Sequence, residues 1–143
     1  MLKYYWVLHM QTLTKIYDFL HEAKRFFVAT VDKDKPRVRP FGSYMIYDGK
    51  LYFSTADTKP FWRQIIENPN IEICACDGEG GWLRIEAKAN PDRRKVVKEA
   101  MLRQNPRLQQ IYEAHGKHVA LFYITNATAA FENLKGEKEV FKF

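Results

Sequence analysis

Asp48-Gly49-Lys50-Leu51-Tyr52-Phe53-Ser54-Thr55-Ala56-Asp57-Thr58-Lys59-Pro60 packs a turn, a strand and a helix start into one short run. Glycine accepts the positive φ that a two-residue hairpin turn requires, so Asp48-Gly49 marks a tight reversal before an apolar strand over 50–55. Asp57-Thr58 offers capping oxygens and Pro60 a pre-set first helical turn, so a helix begins here with Phe61, Trp62, Ile65 and Ile66 on one face. Asn68-Pro69 stops it.

Before this run, Leu13, Ile16, Tyr17, Leu20 and Ala23 recur at helical spacing and predict an amphipathic helix over 12–25, with Thr12 or Thr14 as N-cap. Phe26 to Val31 is short, apolar and β-branched, Asp32 to Pro36 is a polar turn, and Arg37 to Tyr47 is the return strand. After the run, 70–76 is a strand, Asp77 to Gly81 a glycine-rich turn and Trp82 to Ala89 an alternating strand. Asn90-Pro91 predicts a helix with Val96, Val97, Ala100 and Met101 inward, which Asn105-Pro106 breaks before a second short helix through Tyr112 to Gly116. Val119 to Ile124 is a further strand, and Ala129 to Phe143 a hairpin turning at Lys135-Gly136. The class is mainly β: six or more antiparallel strands in a small closed or split β-barrel, with helices packed at its ends.

The chain has 143 residues, 46% hydrophobic and 15% aromatic, which is burial material for one domain and excludes a disordered chain. We expect a single domain over 12–143, with 1–11 as an N-terminal appendage. Tyr4 to Leu8 is too short for a signal-peptide core and His9 interrupts it, and no run is long enough to span a membrane. Two cysteines on one strand cannot staple a fold, so a reducing cytoplasm is expected. Lys and Arg number 23 against 17 Asp and Glu, and the net +6 favours an anionic partner.

Three hydroxyls and an ammonium at the helix start after Phe53 form an anion-site pattern, because free N–H groups and the helix dipole favour negative charge there. The bland reading is that Asp57 or Thr58 only caps the helix while Lys59 points to solvent. If the Asp48-Gly49 hairpin brings 37–41 beside 51–55, Arg37 and Arg39 share a face and converge on the same region. Pro40 lacks an N–H and opens the ladder locally, leaving backbone groups of 39–43 free for a ligand, with Gly42 permitting close approach. Cys74 and Cys76 share a strand face but lack further zinc ligands, so they read as buried small hydrophobes. No metal site is expected. His115 and His118 read as solvent-facing loop residues without a positioned carboxylate, and Asn126-Ala127-Thr128 as a chance glycosylation pattern.

The succession of helix, Phe27-Val28-Ala29-Thr30, Arg37-Val38-Arg39-Pro40-Phe41-Gly42, Asp48 to Thr55, Lys59, Asn68-Pro69 and Trp82-Leu83-Arg84-Ile85 resembles the pyridoxamine 5′-phosphate oxidase-like, FMN-binding split β-barrels over residues 12–134. The resemblance implies FMN bound non-covalently at a homodimer interface, both subunits contributing to each site. It implies that Arg39 and the backbone at Pro40 and Phe41 lie along the isoalloxazine, that Ser54, Thr55 and Lys59 hold the phosphate, and that Arg37 is a second cation. Trp82 and Arg84 match positions near the flavin or the partner subunit; a core tryptophan and a surface arginine are the alternatives. Vitamin B6 oxidases of this family are longer and close with a substrate-binding segment, whereas this chain ends Lys138 to Phe143. It is more similar to the short branch that includes nitroimidazole-reductase-like proteins.

The expected function is an FMN-dependent oxidoreductase acting on a small molecule, with NAD(P)H as a candidate reductant and no membrane partner. No nucleophile–base constellation can be placed, and flavin chemistry needs none for its hydride step. One alternative keeps the flavin for storage or sensing without turnover, and deazaflavin or haem are related cofactors. Another is a small-barrel module for single-stranded nucleic acid. Against it, basic residues such as Arg93-Arg94-Lys95 fall on a helical stretch rather than on one aromatic-lined stripe.

Overall fold

The elements run α1 (Leu2–Ala23), β1 (Phe26–Asp32), β2 (Lys35–Phe41), β3 (Tyr44–Tyr47), β4 (Lys50–Ala56), α2 (Pro60–Glu67), β5 (Asn70–Cys76), β6 (Gly81–Asp92), α3 (Lys95–Gln104), α4 (Pro106–Ala114), β7 (Val119–Asn133) and β8 (Lys138–Lys142). They are seen in a computed structural model that describes residues 1–114 and 118–143. Among the described residues no helix is long and apolar enough to cross a membrane.

All eight strands lie in one antiparallel sheet of order β2-β1-β5-β6-β7-β4-β3, with β8 added to β7. The sheet curls into a split barrel. Its two terminal strands, β2 and β3, are consecutive in the chain and separated only by Gly42 and Ser43. Phe26, Val28, Ile73, Leu83, Ile85, Phe53, Phe122 and Ala129 fill the interior, and α1 adds Leu13, Ile16 and Leu20 while α2 adds Phe61, Trp62 and Ile65. A smaller core of Met45, Tyr52, Val97, Ala100, Met101, Val119 and Leu121 lies under α3. Strand β4 is therefore covered on both faces, and Leu51, Tyr52, Phe53 and Ser54 are all buried rather than alternating.

The outer face carries a continuous cross-strand row: Pro40 opposite Phe27, Phe27 opposite Cys74, Cys74 opposite Arg84, Arg84 opposite Ala130 and Ala130 opposite Val140. Phe27, Val38 and Val140 on this face are 49%, 67% and 47% exposed.

Several sequence expectations are corrected. The return strand 37–47 is two strands, because the chain breaks at Gly42-Ser43 and β2 pairs β1 while β3 pairs β4. Arg37 to Phe41 therefore do not pair with Leu51 to Thr55. Asn90-Pro91 continues β6 instead of starting a helix: Asn90 Nδ2 donates across the ladder to Tyr123 O and Thr125 Oγ1, and α3 starts only after the Asp92 carboxylate takes the Arg94 N–H. Arg93 and Arg94 thus precede α3 rather than lie on it. Helix α1 starts at Leu2, since 2–11 contain no glycine or proline, and Thr12 Oγ1 bonds Leu8 O in mid-helix instead of capping. Residues 2–8 of it stay exposed.

Ile66, expected on the inward face of α2, is 51% exposed, and Gln64 is buried there with Phe61, Trp62 and Ile65 instead. Cys74 is half-buried and Cys76 exposed on the outer face, because Ile71, Ile73 and Ala75 are the inward residues of β5. Strand β7 runs unbroken past Ile124 to Asn133, bending at Asn126, whose φ is 49°. The second short helix ends within the described residues at Ala114; the expectations for His115 and Gly116 lie outside them.

Candidate functional site

The break between β2 and β3 opens a cleft of about 920 Å³. Its floor is Arg39 to Ser43 together with Ser54 to Ala56. Thr58 to Phe61 at the start of α2 form one wall, Asn105, Arg107, Leu108 and Ile111 from the α3–α4 elbow another, and His118 and Val119 complete it.

Arg39 is placed by register. It stands opposite Val28 in the β1–β2 ladder, which turns its side chain inward. Its Nη1 donates to Val28 O at 3.2 Å and to Thr30 Oγ1 at 2.7 Å, its Nη2 donates to Gln64 Oε1 at 2.7 Å, and the guanidinium lies 4.9 Å from the Phe61 ring centroid. Thr30 Oγ1 in turn donates to Gln64 Oε1 at 2.5 Å. Thr30 and Gln64 are 3% and 2% exposed, so the arginine is braced by two buried neutral side chains. Every acceptor it meets among the described residues is uncharged. Burial, and then the nearby Arg37 charge, hold its pKa below the ordinary arginine value.

Ser54 is buried and Thr55 half-buried at the end of β4, which pairs with β7 through Ser54–Leu121 and Thr55–Ala120. Ser54 N–H donates to Ser43 O at 3.2 Å, tying the two sides of the floor together. Lys59 is the exposed N-cap residue of α2, with extended backbone, and Pro60 occupies the first turn. Its side chain makes no ion pair among the described residues. Gly42 faces open space: a Cβ there would meet nothing within 4 Å.

Of the residues expected from sequence, Arg39, Pro40, Phe41, Ser54, Thr55 and Lys59 are brought together around the cleft. Arg37 is not; its Nε lies 3.5 Å from Asp32 Oδ2 and its side chain is half exposed. Trp82 and Arg84 lie on the outer sheet face, where Trp82 Nε1 donates to Glu132 Oε2 at 2.9 Å and Arg84 pairs with Glu72 at 2.9 Å.

Four features escaped the sequence reading. Thr30 and Gln64 brace Arg39; a glutamine beside Phe61, Trp62 and Ile65 on a short helix was the available signal. Asn105 joins the elbow to the floor, donating from Nδ2 to Ser43 Oγ at 3.1 Å while its Oδ1 caps α4 at Leu108 N. Arg107 lines the cleft from α4. His118 has a carboxylate after all: its Nδ1 lies 3.2 Å from Asp57 Oδ1.

The model of the family described as pyridoxamine 5′-phosphate oxidase matches residues 13–142. A NimC/NimA family protein from Clostridium acetobutylicum is 35% identical, with 98% of each chain covered and a TM-score of 0.90. A pyridoxamine 5′-phosphate oxidase-related, FMN-binding protein from Nostoc punctiforme is 15% identical over 91% of this chain and 95% of that one, with a TM-score of 0.60. HutZ, the heme storage protein from Vibrio cholerae, is 18% identical over 90% and 92%, with a TM-score of 0.61. The last two likenesses are of fold alone. Among curated proteins none matches.

Proposed function

The chain belongs to the pyridoxamine 5′-phosphate oxidase family, and on that premise we propose that it binds FMN in the cleft and serves as a flavin-dependent oxidoreductase for a small molecule. The observation that carries this reading is Arg39. A half-buried guanidinium whose hydrogen bonds all go to neutral groups keeps its full positive charge beside a cleft, which suits an anionic or electron-rich ligand.

The donor set fits the cofactor. Ser54 and Thr55 at the end of β4, with Thr58 and Lys59 at the N-terminus of α2, are the hydroxyl, ammonium and dipole chemistry that a phosphate monoester takes. The unpaired edge of β2 at Pro40 to Gly42 offers backbone to a flat ring, and the cleft volume is within the range of cofactor sites, roughly 300–1,000 Å³. Bound FMN would supply two-electron transfer. The protein's part would be to hold the phosphate at 54–59, fix the ring against the β2 edge with Arg39, and keep water out with Leu108 and Ile111.

A second copy of the chain suits the outer sheet face. Phe27, Val38 and Val140 leave an apolar band there, with the Arg84–Glu72 pair inside it. A homodimer through this face would place Trp82 and Arg84 at the partner rather than in their own cleft, and NAD(P)H would be the source of electrons. The test is the absorbance spectrum of the protein as purified, followed by FMN titration and anaerobic addition of NADH or NADPH. Flavin bands that bleach on reduction support the reading. A haem Soret band, or no bound chromophore and no quenching of added FMN, overturns it.

A further inference from the structure

The segment Ser54 to Pro60 contains one acid, Asp57, inside what is otherwise a cationic and hydroxylic cradle. A bare carboxylate there opposes an anionic ligand. The fold answers it with His118. Val119 pairs with Ala56 at the end of the β4–β7 ladder, Asp57 N–H donates to His118 O at 3.0 Å, and Asp57 Oδ1 lies 3.2 Å from His118 Nδ1. His118 is fastened to the cradle by one backbone bond and one ring contact, both to Asp57, and lines the same cleft as Ser54, Thr55 and Lys59. With Nδ1 on the carboxylate, Nε2 is the nitrogen left for a ligand.

We propose that His118, oriented by Asp57, is a further anion contact of this cleft and makes the binding of a phosphate monoester proton-linked. The inference rests on the reading that the cleft takes the FMN phosphate. As imidazolium, His118 neutralises Asp57 and donates from Nε2 to a phosphate oxygen, leaving Lys59 from α2, Arg107 from α4 and Arg39 from β2 unopposed. As neutral imidazole it leaves Asp57 uncompensated beside the ligand. Imidazole changes charge within about pH 5–8, so the effect falls in an accessible window.

The test is equilibrium titration of FMN and of riboflavin, read by flavin fluorescence, against the wild type, His118→Gln and Asp57→Asn from pH 5.5 to 8.5. The ratio of FMN Kd in His118→Gln to that in the wild type is expected to be about tenfold at pH 5.5 and to fall to about one at pH 8.5. The ionisation of the phosphate in free FMN is common to both titrations and drops out of that ratio. Asp57→Asn is expected to tighten FMN at pH 8.5, and riboflavin to be indifferent to pH and to both substitutions. His118 is about half exposed, so the variant is expected to melt with the wild type. A ratio that does not change with pH overturns the inference while leaving the FMN reading intact. No FMN binding by the wild type at any pH overturns both.

Discussion

Arg39 Nη2 donates to Gln64 Oε1 at 2.7 Å across twenty-five residues of chain, and the same oxygen accepts the Thr30 hydroxyl. The helix that begins at the candidate phosphate cradle therefore also fixes the guanidinium at the floor of the cleft.

Gln64→Leu removes an acceptor shared by the buried Thr30 hydroxyl and the half-buried Arg39 guanidinium. It is expected to destabilise the fold by about 1–3 kcal/mol in urea unfolding and to weaken FMN several-fold. Gln64→Glu separates position from charge. It keeps an acceptor in place but pairs the guanidinium with a carboxylate, so FMN affinity should drop at least as far; affinity equal to the wild type would show that the free charge of Arg39 is not used.

Asp92 gives a pH signature independent of the cleft. Hydrogen bonds and charge from Arg94, then Tyr52, pull its pKa from 3.8 to about 2. A carboxylate depressed in the folded state adds stability that is complete above its unfolded pKa and is lost as pH falls through the folded one. Arg94 is 57% exposed, so solvent screening leaves the pair about 1–2 kcal/mol. Asp92→Asn is expected to unfold earlier than the wild type by that amount at pH 7, the gap closing between about pH 4 and 2 in chemical denaturation.

Gly49 has φ +68°, and a Cβ there would sit 2.4 Å from Trp6 of α1. Gly49→Ala is expected to cost about 1–2 kcal/mol, from left-handed strain and from the clash. Trp6→Ala in the same chain should recover the clash component alone. A pair of substitutions that simply add would show that the start of α1 does not rest on the β3–β4 turn.

Much of this was legible in the sequence because it depends on neighbours in the chain. Asp48-Gly49 and Lys135-Gly136 mark hairpins by local backbone demands, and β5 occupies 70–76 as the alternation of Ile71, Ile73 and Ala75 requires. What escaped depends on pairing partners far away. The turns at 32–36 and 48–49 give both hairpins, but nothing local says that the chain breaks at Gly42-Ser43 to change pairing partners, so 37–47 reads as one strand. Asn90-Pro91 has the composition of a helix start, but the ladder to β7 takes Asn90 first. Ser54, Thr55 and Lys59 line the cleft from one short run of sequence, whereas Thr30, Gln64 and Asn105 each act through a partner on another element.

The outer face gives a prediction about assembly. Phe27→Lys and Val38→Glu change exposed side chains and should leave the monomer fold intact. Light scattering is expected to report a dimer for the wild type and a monomer for the double variant, with FMN retention falling in parallel. A wild-type monomer that still holds FMN would remove the partner from the site.

The most direct measurement is the ratio of riboflavin to FMN dissociation constants for the wild type and for Lys59→Ala at pH 7. A phosphate cradle at 54–59 predicts that FMN binds at least about tenfold more tightly than riboflavin, and that Lys59→Ala erases most of that preference while leaving riboflavin unchanged. Equal affinities for the two flavins, or a preference that survives loss of the ammonium, would contradict it.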